Sequence, residues 1–326
     1  MKQFNTIPAS LRVLYTLLIA TFLAAGCAKK PAAPEVTAFN TPEEAAAAFV
    51  AAVKSDDRDA LGKLLGPQYS DVLASGDAVA DQADRKWFVA AYDTKHTLDA
   101  DGADKVTLSV GDNAWPMPIP IVRRGGQWTL DASAGADELV FRRVGRNELG
   151  AIDVCRGLVS AQAEYAAEGR DGDAAGVYAL KFISDAGMHN GLYWPAAEGE
   201  PQSPLGPQAA DAAAEGYKKA EGGGRTPYHG YYYRMLYAQG EHANGGARDY
   251  FKDGRMTEGF AMIAWPAEYG SSGVQTFIVN QDGVVFQKDL GEDTATAVEA
   301  IQAYDPDSSW TAIAPPAEET ATPPAG

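Results

Sequence analysis

The pattern of apolar and polar positions changes character several times along the chain. Lys2 and Arg12 precede a largely apolar run from Val13 to Ala20 that continues through Phe22 and Leu23 to Ala24-Ala25-Gly26-Cys27. A positive start, a short apolar stretch and small residues before a cut site predict a secretory signal over 1–26. The run is shorter than the ~20 apolar residues that a membrane-spanning helix requires. Helical spacing comes next. Thr41 can cap, Pro42 suits the first helical position and Glu44 completes a capping box, with Phe49, Val50 and Val53 as the apolar stripe. A second helix runs from Asp57 through Leu61, Leu64 and Leu65 to Gly66-Pro67, and a third carries Trp87, Phe88, Ala91 and Tyr92. The period then falls to two. Val106–Val110 alternates, and Ile119–Val122 and Gln127–Leu130 flank Arg123-Arg124-Gly125-Gly126, a hairpin signal. These elements predict a small α+β domain over 38–135, with helices on one face of an antiparallel sheet.

From Ala136 to Ala167 the spacing is helical again, with Leu139, Val140, Val144, Leu149, Ile152, Cys155, Val159 and Ala163 as an irregular apolar stripe. Gly145 and Gly150 leave open whether this is one helix or two. The Gly-, Pro- and Ala-rich stretch from Gly169 to Gly224, which ends in Gly222-Gly223-Gly224, predicts long loops with one short helix near Pro207–Tyr217. Strands are predicted over Tyr228–Tyr237, Gly259–Trp265 and Val274–Val279. The last turns through Asn280-Gln281-Asp282-Gly283 into Val284–Lys288. A second α+β domain thus spans 136–311, and the Pro-rich tail 312–326 is predicted to be disordered.

The ending Ala24-Ala25-Gly26-Cys27 resembles the lipobox of bacterial lipoproteins, with Ala24 where that motif most often has Leu. The resemblance implies lipid attachment at Cys27 and a tether over 27–37, including Lys29-Lys30-Pro31. It also implies export to the cell envelope, with the body facing the periplasm. Ala28, in place of an Asp, favours the outer membrane. An ordinary secreted signal ending near a cysteine is the alternative. The order of elements in 38–135, from Thr-Pro-Glu-Glu helix to Gly-Gly-Gln-Trp hairpin, is similar to the cone-shaped nuclear-transport-factor-2-like (NTF2-like) fold. The long helix, loops and sheet of 136–311, with Ala161-Gln162-Ala163-Glu164-Tyr165 and Thr276-Phe277-Ile278-Val279, resemble type II secretion pseudopilin heads, although no apolar assembly helix precedes them. Arg146-Asn147-Glu148-Leu149, Gly191-Leu192-Tyr193-Trp194-Pro195, Gly230-Tyr231-Tyr232-Tyr233-Arg234 and Ala264-Trp265-Pro266-Ala267-Glu268-Tyr269-Gly270 together resemble the bacterial family named domain of unknown function 2950, over about 36–311. That resemblance implies no catalytic residues.

Composition narrows the function classes. A chain of 326 residues with 46% hydrophobic and 22% charged positions is that of a folded protein with two cores. A net charge of −17 without long Lys/Arg runs excludes a nucleic-acid surface. With Cys27 acylated, only Cys155 of the two cysteines remains, and its apolar helical setting predicts a buried small residue. Phosphate loops, serine-hydrolase elbows and His-Glu-x-x-His motifs are absent from the sequence. Three candidate places remain. Trp194, Tyr228, Tyr231, Tyr232, Tyr233, Trp265 and Tyr269 are a candidate aromatic binding surface, with Tyr231 and Tyr233 on one strand face and Tyr232 on the other. Trp87, Asp93, His96 and Trp128 are candidate pocket residues of the first domain. There Asp93 and His96, at i and i+3 of one helix, would be an acid/base pair. Asp171 and Asp173, in Glu168-Gly169-Arg170-Asp171-Gly172-Asp173, are an outside candidate for calcium, and no other cofactor is expected. The leading expectation is a non-catalytic envelope lipoprotein that binds a protein or peptide partner; the alternative is an enzyme or small-solute-binding protein that uses the first domain's pocket.

Overall fold

The first helix, α1 (Pro42–Ser55), starts where the sequence places it: Thr41 Oγ1 accepts the Glu44 amide at 3.2 Å. The Glu44 carboxylate reaches one residue further back than a standard capping box, to the Asn40 amide at 3.0 Å. The structure is a computed structural model that describes residues 36–196, 202–215, 217 and 225–315. The signal, Cys27, most of the tether, Gly222–Gly224 and the tail beyond Pro315 lie outside the described residues. Helix α2 (Arg58–Leu65) is capped by Asp57. Helix α3 (Ala78–Thr94) starts well before Trp87, because Asp77 accepts both the Val79 and Ala80 amides.

The three helices cover an antiparallel sheet of β1 (His96–Ala100), β2 (Lys105–Val110), β3 (Trp115–Pro116), β4 (Ile121–Arg124) and β5 (Gln127–Leu130), ordered β1-β2-β4-β5 with β3 also on β2. Gly125 and Gly126 both take positive φ, as a two-residue hairpin turn requires. Strand β1 carries almost no apolar pattern and exists through its backbone ladder with β2. Phe49, Val53, Leu61, Phe88, Leu108 and Ile121 are among the buried residues of this first core.

Helix α4 (Ala136–Ala167) is a single element of 32 residues, so neither Gly145 nor Gly150 breaks it. A helical glycine costs about 1 kcal/mol. Burying Val144, Ala151, Ile152, Cys155 and Leu158 on one face outweighs that. Beyond it come β6 (Lys181–Ile183) and β7 (Gly191–Tyr193), a parallel pair, then α5 (Gly206–Glu215) and β8 (Tyr231–Leu236). Two small antiparallel pairs come next: β9 (Ala238–Gln239) with β10 (Arg248–Asp249), and β11 (Phe251–Lys252) with β12 (Arg255–Met256). The main second sheet contains β13 (Ala261–Pro266), β14 (Gln275–Asn280), β15 (Phe286–Asp289) and, after α6 (Thr294–Ala300), β16 (Thr311–Ala312). Its order is β16-β15-β14-β13-β8, all antiparallel. Helices α4 and α6 both pack on it, and all six residues of β13 are buried. That explains a strand that reads as continuously apolar instead of alternating. Ala312, Ile313 and Ala314, assigned by sequence to the tail, bond instead to Phe286, Val285 and Arg156.

The chain is α+β, and its two hydrophobic clusters sit within one compact unit, Val36–Gly326. Side chains of α4 anchor that helix to the loop between β13 and β14 of the second core. Asn147 Nδ2 donates to the Ser272 carbonyl at 2.9 Å, and Glu148 Oε1 accepts the Val274 and Gln275 amides, each at 3.0 Å. Asp77, 1% exposed, accepts the Tyr217 hydroxyl and the Gly230 amide besides its own capping bonds.

Candidate functional site

Between the first core and α4 lies a cavity of about 120 Å³. Phe49, Phe88, Met117 and Ile119 form its apolar wall, and Trp87 and Trp115 meet edge to face at 5.4 Å beside it. Trp87 remains 51% exposed, far more than its size and chemistry favour. Leu139, Arg142, Arg143 and Arg146 line the opposite side, because positions i, i+3, i+4 and i+7 share one helix face.

Arg85, Arg142, Arg143 and Arg146 line this slot against Asp81 and Asp84, four cations to two carboxylates. Three of the arginines have ion-pair partners: Arg85 with Asp56 at 3.3 Å, Arg142 with Glu138 at 2.8 Å and Arg146 with Asp84 at 2.6 Å. Arg142 also lies over the Trp115 ring at 5.3 Å. Arg143 differs. Only 8% exposed, it donates to neutral oxygens alone: Ser271 O at 2.9 Å, Val72 O at 3.0 Å and Ser271 Oγ at 3.1 Å. Among the described residues no carboxylate lies within ion-pair distance of it. Burial lowers its pKa from the usual arginine value, while the more distant charges of Asp81 and Asp84 work in the other direction.

Of the pocket residues expected from sequence, only Trp87 lines this slot. Asp93 pairs with Lys54 at 3.7 Å, while His96 Nδ1 lies 2.9 Å from the Tyr92 carbonyl with its ring stacked on Tyr92 at 3.8 Å. The acid/base pair is not formed, because α3 ends at Thr94 and His96 already belongs to β1, so helical i, i+3 geometry does not reach it. Trp128, on β5, bridges to Phe39 and lies beneath Arg123. Of the slot residues missed from sequence, Arg142, Arg143 and Arg146 carried one legible signal, their clustering on a helix with an apolar stripe.

The aromatic group of the second core is divided. Trp194, Tyr231 and Trp265 are buried, the Tyr231 hydroxyl donating to Gln275 O at 2.9 Å. Trp194 packs against Arg170 and Tyr165, and Trp265 lies under Arg225 and 5.8 Å from Tyr232. Tyr228 stacks on His229 at 4.1 Å, the half-buried Tyr233 directs its hydroxyl to Tyr228 O, and Tyr269 bonds Asp289. His229 Nε2 lies 2.7 Å from Glu215, and no nucleophile bonds the imidazole among the described residues. Asp171 accepts the His189 amide, and Asp173 pairs with Arg255. No group of three or more His, Cys, Asp or Glu among the described residues is arranged to hold a metal ion.

In comparisons with known proteins, the family model described as protein of unknown function (DUF2950) matches residues 36–313. No curated protein and no solved structure matches the chain.

Proposed function

The chain belongs to the DUF2950 family, whose description assigns no activity, and we propose that it is a non-catalytic binding module of the bacterial cell envelope. Its partner is a polypeptide that inserts one apolar group into the Trp87–Trp115 slot. The observation that carries this reading is a half-exposed Trp87 over an aromatic cavity of about 120 Å³. Pockets that enclose whole metabolites measure about 300–1,000 Å³. A dry cavity of about 150 Å³ accommodates one benzene ring. The slot is therefore matched to a single apolar group, which supports the insertion of one side chain of a polypeptide. Trp and Arg are also the side chains that most often dominate binding energy at protein interfaces.

In this proposal Cys27 carries the lipid that holds the body at a membrane, the outer membrane by the lipobox reading, and the helices-over-sheet layout of the first core serves as an NTF2-like cone that opens beside α4. Placing a photo-crosslinking residue at Trp87 in the full lipidated chain tests the site. Intact envelopes are expected to yield one discrete adduct from that position, and none from the same residue at exposed Val284 in the second sheet's hairpin. Equal capture from both positions, or none at position 87, would remove the slot as the binding site.

A further inference from the structure

We infer that the slot recognises an apolar group no larger than a phenyl ring together with a carboxylate attached to it, the carboxylate being received by Arg143. The inference rests on the slot reading above and extends it to the chemistry of the ligand.

The guanidinium of Arg143 carries five N–H donors. Three are spent, on Ser271 O, Val72 O and Ser271 Oγ, through Nε, Nη1 and Nη2. One N–H therefore remains on each of Nη1 and Nη2, donors left over for a carboxylate. The side chain lines the slot and is 8% exposed. A buried cation without an ion-pair partner is costly, and a ligand anion would offset that cost. The carboxylates that line the slot are otherwise engaged: Asp84 is held by Arg146 at 2.6 Å, and Asp81 accepts the Ser75 amide at 2.9 Å. Of the four arginines around the slot, Arg143 is the one that no carboxylate pairs among the described residues. The cavity beside Arg143 has room for about one ring, so charge and apolar contact must belong to neighbouring atoms of one ligand. Two sources present that chemistry: a free aryl- or alkyl-carboxylic acid, and the C-terminal residue of a polypeptide ending in Phe or Leu.

The ligand can be altered instead of the protein, which avoids dependence on a buried arginine variant that fails to fold. The full chain is titrated with 3-phenylpropanoate, its amide, and a tripeptide ending in Phe with a free or an amidated C-terminus, and followed by tryptophan emission. Saturable binding of at least one acid, at least about tenfold tighter than its amide, is the expected result. In Arg143→Lys, which keeps the charge and loses the guanidinium donors, that discrimination is expected to shrink. Amides that bind as tightly as their acids would overturn the carboxylate inference and leave the slot reading standing. An absence of saturable binding by acids and amides alike would overturn both. Binding confined to the free peptide identifies a polypeptide C-terminus; binding confined to 3-phenylpropanoate supports the inference and counts against a polypeptide partner.

Discussion

Cys155 has no exposed surface, and burial pushes its thiol up to about 12 from an ordinary value of about 8.5. Tyr250 is likewise raised to about 12 by burial, and Tyr231 and Tyr304 move upward for the same reason. Each group is held protonated in the fold more strongly than in the unfolded chain, so its contribution is complete below the unfolded pKa and is lost as pH rises toward the folded one. For Cys155 that window runs from about pH 8.5 to 12, at roughly 1.4 kcal/mol per pH unit. Urea unfolding between pH 7 and 11 is expected to show falling stability from about pH 8.5 onward. Cys155→Ala should delay that decline until the tyrosines begin to contribute, near pH 10. An unchanged curve in the variant would mean that the thiol has no part in it. The same burial makes the thiol an inert packing residue in the fold.

At the scale of elements, α4 is the piece on which both cores and the slot depend. One face presents Leu139, Arg142, Arg143 and Arg146 to the slot, and another carries Asn147, Ala151, Cys155 and Leu158 into the second core. The segment Arg146-Asn147-Glu148-Leu149 is a clamp: one residue pairs with α3 and the next two hold the loop from Ser272 to Gln275 through its backbone. The close approach of Asn147 to the chain at Gly230 depends on glycine. Gly230 has φ +78°, and a Cβ there would stand 2.4 Å from Asn147 Nδ2. Gly145, in the same helix as Asn147, has open space around it. Opposite outcomes are therefore expected from the same chemical change. Gly230→Ala should cost about 2–4 kcal/mol, from left-handed strain and a displaced hydrogen bond. Gly145→Ala should gain about 0.5–1 kcal/mol by helix propensity alone. Denaturant midpoints at constant slope decide both, and a destabilised Gly145→Ala would show that the position is not open in the folded protein.

For the whole molecule, the question is whether two cores unfold as one. Their junction is polar and buried, with Arg143 reaching from α4 to Val72 and Ser271, and Asp77 joining α3 to Tyr217 and Gly230. Losing the Asp77 carboxylate removes a helix cap and leaves buried donors without an acceptor, a cost of about 3–5 kcal/mol. The six tryptophans offer a natural readout, with Trp115 and Trp128 packed on the first core, Trp87 against Trp115, and Trp194, Trp265 and Trp310 in the second core. Fluorescence and circular dichroism are expected to trace one shared transition in the wild type. In Asp77→Ala they should separate, the first core melting earlier. Coincident transitions in the variant would show that α4 alone couples the cores.

Local chemistry was legible without coordinates. Thr41-Pro42-Glu43-Glu44 specifies a helix start because its groups bond within four residues, and Gly125-Gly126 specifies a turn because only glycine takes both positive φ values freely. The periods of the apolar stripes gave the first five α-helices, the longer strands of both main sheets apart from β1, and the α+β class, while the short strands β3, β6, β7, β9–β12 and β16 and helix α6 left no such pattern; the four family segments carried the DUF2950 resemblance. Strand β1 was not legible, since its order comes from the ladder with β2 and not from its own side chains. Neither was the division of the aromatic group, because Tyr231 and Trp265 are buried by elements distant in sequence. The slot lay furthest from reach. It brings Phe49 and Trp87 together with Trp115 and Arg143, whose proximity is fixed by how α4 crosses the first core. Bonds within a few residues are written in the sequence; a cavity is the space left between elements, and only their packing decides where it opens.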